Sequence, residues 1–93
     1  MIRTFADRRT EDVYLGNPAK GLSRAVQRAA QRRLEYLQAA RQLDDLRAPP
    51  GNRLEKLMGN LAGRHSMRVN DQWRIIFEWH DGDAYLVEII DYH

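Results

Sequence analysis

Near the middle of this 93-residue chain stands Pro49-Pro50-Gly51-Asn52, and the apolar pattern has one period before it and another after it. Proline lacks a backbone donor and restricts the residue before it, so no helix crosses this point. Upstream, Val26, Ala30, Leu34, Leu37 and Ala40 fall at offsets of 0, 4, 8, 11 and 14, one face of a 3.6-residue period. The spacing predicts a helix that begins near Ser23, a residue type that caps N-termini well. Downstream, Met67 and Val69 alternate, Trp73, Ile75, Phe77 and Trp79 alternate, and Tyr85 to Tyr92 forms a continuous β-rich run. Asn70-Asp71 and Asp81-Gly82 lie between these runs as turn residues. The change of period predicts an α+β fold: an antiparallel meander in the second half, one face of it covered by helices from the first.

The N-terminal residues 1–5 are expected to form a short strand. Asp7 then caps a short helix with Val13, Tyr14 and Leu15 as its apolar contacts, and Gly16-Asn17-Pro18-Ala19-Lys20-Gly21 breaks it. A chain of this length has room for one core, so residues 1–93 are read as a single domain. Apolar residues at 43% and charged residues at 30% are too hydrophobic a mixture for a disordered chain. Cysteine is absent, which excludes disulfides, thiolate metal sites and thiol nucleophiles. No apolar stretch approaches the roughly 20 residues of a membrane span, and MIRTF lacks the hydrophobic run of a signal peptide, so the expected location is cytoplasmic, with no membrane partner.

The basic residues are 13 Arg and only 2 Lys, and they are unevenly placed. Residues 53–74 carry Arg53, Lys56, Arg64, Arg68 and Arg74 against Glu55 and Asp71; residues 75–93 carry five acids and no Lys or Arg. Arginine presents a planar fork that matches phosphate oxygens in pairs and stays charged wherever it is placed. Arg24, Arg28 and Arg32 recur at a spacing of four along the predicted helix, away from its apolar face. This row is either solvated surface, helped by an Arg32–Glu35 pair, or a contact for RNA or an acidic partner.

Alternation places Arg74, Ile76 and Glu78 on the sheet face opposite Trp73, Ile75 and Phe77. An arginine in mid-sheet needs an anion, either a carboxylate of the protein such as Glu78 or Glu88, or an exogenous phosphate. Arg68 leaves the core face on the preceding strand, so Arg68 and Arg74 make either a phosphate clamp or members of internal ion pairs. His65, His80 and His93 have no metal-ligand spacing, and neither a phosphate loop nor a nucleophile elbow occurs. No cofactor or metal is expected. What remains is acid–base chemistry with arginine stabilisation, which suits cleavage of RNA through its own 2′-hydroxyl.

The run PPGNRLEKLMGNLAGRHSMRVNDQWRIIFEWHDGDAYLVEIIDYH, with MIRTFADRRTEDVY and the Arg/Ala/Leu helix before it, resembles the HigB toxins of the RelE superfamily, the "plasmid maintenance system killer" group. RVNDQWRI and the terminal DYH stand in that family's order and spacing. The resemblance implies a RelE-like microbial ribonuclease fold and a ribosome-dependent mRNA endonuclease. It also implies a helix-turn-helix HigA antitoxin as partner, with operator DNA reached only through that antitoxin. On this resemblance Arg74 in QWRI is the cleft arginine, and Asp91, Tyr92 and His93 form the functional C-terminal triplet. Where relatives carry a histidine and a lysine, this chain has Glu55 and Met58, so that either Glu55 is the base or Lys56 contributes from the next position. His65 stands where many relatives have tryptophan. Arg68, Lys56, Arg64 and His65 are the expected RNA contacts, and the end of the chain is expected to leave the regular strand after Ile90 and turn into the cleft. The reading set against all this is a non-catalytic basic protein that inhibits translation or ribosome assembly by occupying RNA.

Overall fold

The computed structural model describes residues 1–92. Helix α1 (Arg8–Leu15) starts where the Asp7 carboxylate accepts from the Thr10 N–H at 2.8 Å, and helix α2 (Arg24–Ala39) starts where the Ser23 hydroxyl accepts from Val26 N–H. Each cap satisfies an amide donor that the first turn leaves without a partner. Single 3₁₀ turns at Leu43–Arg47 and Pro50–Asn52 carry the chain across the proline tetrad. Strands β1 (Glu55–Lys56), β2 (Arg64–Arg68), β3 (Trp73–His80) and β4 (Asp83–Asp91) follow and pair in chain order as an antiparallel sheet.

Ala30, Leu34 and Leu37 of α2 and Val13 of α1 lie against Met67, Ile75, Phe77, Val87 and Ile89, all of them buried in one cluster. The helices therefore cover one face of the sheet and leave Arg64, Ser66, Arg68, Arg74, Ile76 and Glu78 on the other. Leu15, expected among the apolar contacts of α1, is instead 60% exposed at the helix end. The expected Arg32–Glu35 pair is absent from the ion pairs of the described residues.

The hairpin β3–β4 turns through Asp81 and Gly82, both left-handed at φ 50° and 83°, the conformation a two-residue type I′ turn requires. Register then slips once. Ile76 faces Glu88 and Glu78 faces Tyr85, so Phe77 stands opposite both Leu86 and Val87. Leu86 absorbs the extra residue at φ 53° and donates its N–H to Thr4 Oγ1 at 2.8 Å. The uninterrupted alternation of Tyr85, Val87 and Ile89 on one face is thereby corrected. Ala84, Val87 and Ile89 face the helices, while Tyr85 shares the opposite face with Glu88 and Ile90.

Residues 1–6 form no strand of their own, in contrast to the expectation. They run parallel to β4 through isolated bridges at Ile2–Ala84 and Phe5–Val87. Farther along the same edge the buried Thr10 accepts the Ile89 N–H at 2.9 Å and Arg9 donates to the Ile89 carbonyl. Thr10→Val keeps the side-chain shape and removes that acceptor, leaving the buried Ile89 N–H without a partner. We expect a loss of about 1–3 kcal/mol in urea denaturation, with Thr10→Ser retaining most of the difference.

Candidate active site

Arg74 is 8% exposed in the middle of the sheet, and the structure supplies its partners from three directions. Nε donates to Ser66 Oγ at 2.8 Å and Nη2 to the Arg53 carbonyl at 2.8 Å. Glu55 Oε1 stands 3.8 Å from Nη2, near enough to balance the charge but too far for a hydrogen bond. The Tyr92 ring lies over the guanidinium, 5.4 Å from carbon to centroid, within cation–π range. Neither Glu78 nor Glu88, the carboxylates expected from alternation, is the ion-pair partner. Glu78 is taken by Arg64 across the strand pair at 3.8 Å and by His80 at 3.2 Å.

Ser66 sits where β2 must place it, two residues from Arg64 and from Arg68, on their face of the sheet, and it is fully buried. The Arg53 carbonyl is aimed by backbone geometry. Arg53 is left-handed at φ 44°, closing the Pro50–Asn52 turn. Asn52, with no exposed surface, anchors that turn by donating from Nδ2 to the carbonyls of Leu46 and Ala48. Sequence reasoning missed all three residues as site components. The only available signal was Ser66, a small polar residue in phase with two arginines of a strand.

Glu55 pairs with Ser66 in register and so reaches Arg74's face from β1. Arg68 stands directly opposite Arg74, as a clamp requires, with its guanidinium in an ion pair to Asp71. Tyr92 follows Ile90 by two residues and arrives over Arg74 with no break in the strand. Pairing continues through Trp73–Asp91, and the Tyr92 N–H reaches the Gln72 carbonyl at 2.7 Å. The expected departure after Ile90 is therefore corrected: the bulge at Leu86 has already set the phase that the departure was invoked to provide.

Other predicted residues are not brought to this cluster. Asp91 lies one residue out of phase and accepts from Gln72 Nε2 at 3.1 Å. Lys56 pairs with His65, and His65 pairs with Phe77, which puts both on the helix-covered side. The His65 ring stacks on Phe77 at 5.9 Å between centroids. Partial burial, with Lys56 adding to it, holds its pKa below the ordinary histidine value. His93 lies outside the described residues. Among the described residues, no group of three or more His, Cys, Asp or Glu side chains converges on a metal position.

A family model described as the RelE-like toxin of the type II toxin-antitoxin system HigB matches residues 3–93. Toxin HigB-1 of Vibrio cholerae is 46% identical over 85 residues, 90% of each chain. Endoribonuclease HigB of Proteus vulgaris is 42% identical over 41 residues, 44% of this chain and 45% of its own. Among solved structures, a chain of the YoeB-YefM complex from Staphylococcus aureus superposes with a TM-score of 0.64 over 100% of this chain and 95% of that one. At 20% identity the likeness is one of fold.

Two outcomes follow from this geometry. Arg74→Lys replaces a fork by a point charge that cannot hold Ser66 and the Arg53 carbonyl together while facing a ligand. Toxicity on induction should fall at least tenfold with the fold retained by circular dichroism, and full toxicity of this variant would make Arg74 a structural ion-pair member. For His65, a pKa lower in the folded than in the unfolded chain means that the unfolded chain binds more protons just below pH 6.5. Stability should therefore fall as pH drops through that range, and His65→Gln should flatten this part of the profile in thermal unfolding.

Proposed function

Because this chain belongs to the HigB-like family of RelE-like toxins of type II toxin-antitoxin systems, we propose that it is a ribosome-dependent mRNA endonuclease held in check by a HigA-like helix-turn-helix antitoxin. The observation that carries this reading is the convergence of Glu55, Tyr92 and the prefixed Arg74 guanidinium on the sheet face that the helices leave open. Of the five N–H groups of Arg74, one is given to Ser66 and one to Arg53. The rest are the donors for a phosphate, and such donors stabilise the charge that grows on the non-bridging oxygens as the 2′-oxygen attacks phosphorus.

In this reading Glu55 accepts the 2′-hydroxyl proton, being half exposed and only loosely engaged with Arg74. Its carboxylate leaves Arg74 as the phosphate enters, so the guanidinium exchanges one anion for another. Tyr92 stacks on or orients a base beside the scissile bond. His93 protonates the departing 5′-oxygen, a role that rests on its residue chemistry and the family. The bond to the 5′-oxygen breaks as the bond from the 2′-oxygen forms, leaving a 2′,3′-cyclic phosphate and a 5′-hydroxyl. Arg64 and Arg68 attract the flanking phosphates from the same face.

Glu55 is a weak base for free RNA, and holding the substrate in line on the ribosome is what makes the step fast. Such positioning is worth up to about 7–11 kcal/mol in an oriented reaction. Cytoplasmic action accords with this reading, and no helix among the described residues is long and apolar enough to cross a membrane. Mapping 5′ ends of cellular mRNA after induction should show new hydroxyl ends within translated frames. Tyr92→Ala and deletion of His93 should each abolish them with little change in thermal midpoint. His93→Gln keeps a donor without a titratable proton and should be inactive too; near-normal cleavage by it would move the acid to another group. Growth arrest without cut ends would point to the non-catalytic RNA-binding alternative.

A further inference from the structure

Helix α2 breaks two local rules on its outer surface. Arg24, Arg28 and Arg32 are all exposed, and none forms an ion pair or hydrogen bond through its side chain among the described residues. Like charges at spacing four repel by a few tenths of a kcal/mol per pair, and Arg24 in the first turn opposes the helix dipole. The first turn holds no acid to offset it. Because these side chains are exposed, packing does not repay their placement. Local choices that run against the fold without a structural return mark a surface kept for binding.

Beside the row, Arg24 and Arg28 line a cleft of about 340 Å³ with Gly16, Asn17 and Pro18 of the α1–α2 connection, and no acidic residue lines it. From Arg24 to Arg32 the row covers about 12 Å of helix, with one cation per turn, close to the spacing of successive phosphates along one strand. We propose that Arg24, Arg28 and Arg32 form a second RNA surface that grips the phosphate backbone of structured RNA. A protein partner fits less well, because interface cores need apolar anchors. The exposed large apolar residues are Met1, Leu15, Met58, Leu86 and Tyr92, and none is on α2 or lines the cleft.

The row lies on the far side of the sheet from Arg74, since α2 covers the opposite face. A strand threaded over Arg74 does not run along α2 as well. The RNA on α2 is therefore a different segment from the one cut, and on the ribosome-dependent reading, on which this inference rests, it is ribosomal RNA. The two surfaces then hold the protein between a fixed RNA and a moving one.

The test is co-sedimentation of the full chain with purified ribosomes across a salt series, comparing the parent with Arg24→Gln/Arg28→Gln/Arg32→Gln. Each phosphate contact adds roughly 0.7–0.9 to the slope of log affinity against log salt, so the variant should lose about 2–3 of that slope and at least tenfold in binding at low salt. Its thermal midpoint should be unchanged or slightly higher, because the repulsion is gone. Equal affinity and slope for parent and variant would overturn the inference and leave the proposed function standing. Failure of the parent itself to bind ribosomes would overturn both. Unchanged ribosome binding with lost capture of the antitoxin encoded beside it would assign the row to an acidic protein and overturn the RNA surface.

Discussion

A guanidinium buried in the middle of a four-stranded sheet is the constraint around which this molecule is arranged. Burying a charge without partners costs several kcal/mol, more than a domain of this size can spare. The Arg74 site meets that cost with one hydroxyl, one carbonyl and one distant carboxylate. The two neutral partners fix the orientation of the fork. The carboxylate balances the charge from 3.8 Å and so is the exchangeable member of the set. A fully engaged bidentate carboxylate would have made Arg74 a structural residue closed to any other anion.

The same requirement explains features that look incidental. The αL turn at Arg53 and the buried Asn52 beneath it lie more than 20 residues from Arg74 in the chain, yet they aim the carbonyl that holds it. The bulge at Leu86 acts on the other side. A non-glycine residue at φ 53° costs of order 1–3 kcal/mol, and persists where its surroundings enforce it. Here the Thr4 hydroxyl takes the Leu86 N–H, and the two-residue turn at Asp81-Gly82 sets the register up to that point. Without the extra residue every side chain beyond Leu86 would change face, sending Val87 and Ile89 into water and Tyr92 away from Arg74.

Much of the frame was legible because it rests on side-chain period and cap chemistry. Ser23, Asp7, the stripe from Val26 to Ala40 and the Asp81-Gly82 turn each declare their structure locally. Arg74 stood out by alternation, and the family resemblance gave it and the C-terminal residues their roles. What was illegible rests on the backbone. A carbonyl has no residue signature, so Arg53 O was invisible, and Asn52 read only as a turn residue. Leucine is not a residue that announces a left-handed bulge, and regular alternation therefore put Tyr85 on the wrong face. β1 has two residues, too few for any period, so the side of the sheet taken by Glu55 and by Lys56 followed only from the paired strands.

The cover on the outer edge of β4 has a consequence for the order in which the molecule is made. Ile2, Phe5, Thr4 and Thr10 find their partners at Ala84, Val87, Leu86 and Ile89, about 80 positions later. During synthesis the beginning of the chain waits for nearly the whole of the rest, and the closure it awaits is of the slow, non-local kind. Tyr92 reaches Arg74 only at the far end of that same strand. The edge that protects the sheet and the surface that carries the chemistry are thus completed together, as the last residues become available, and no shorter nascent chain has either.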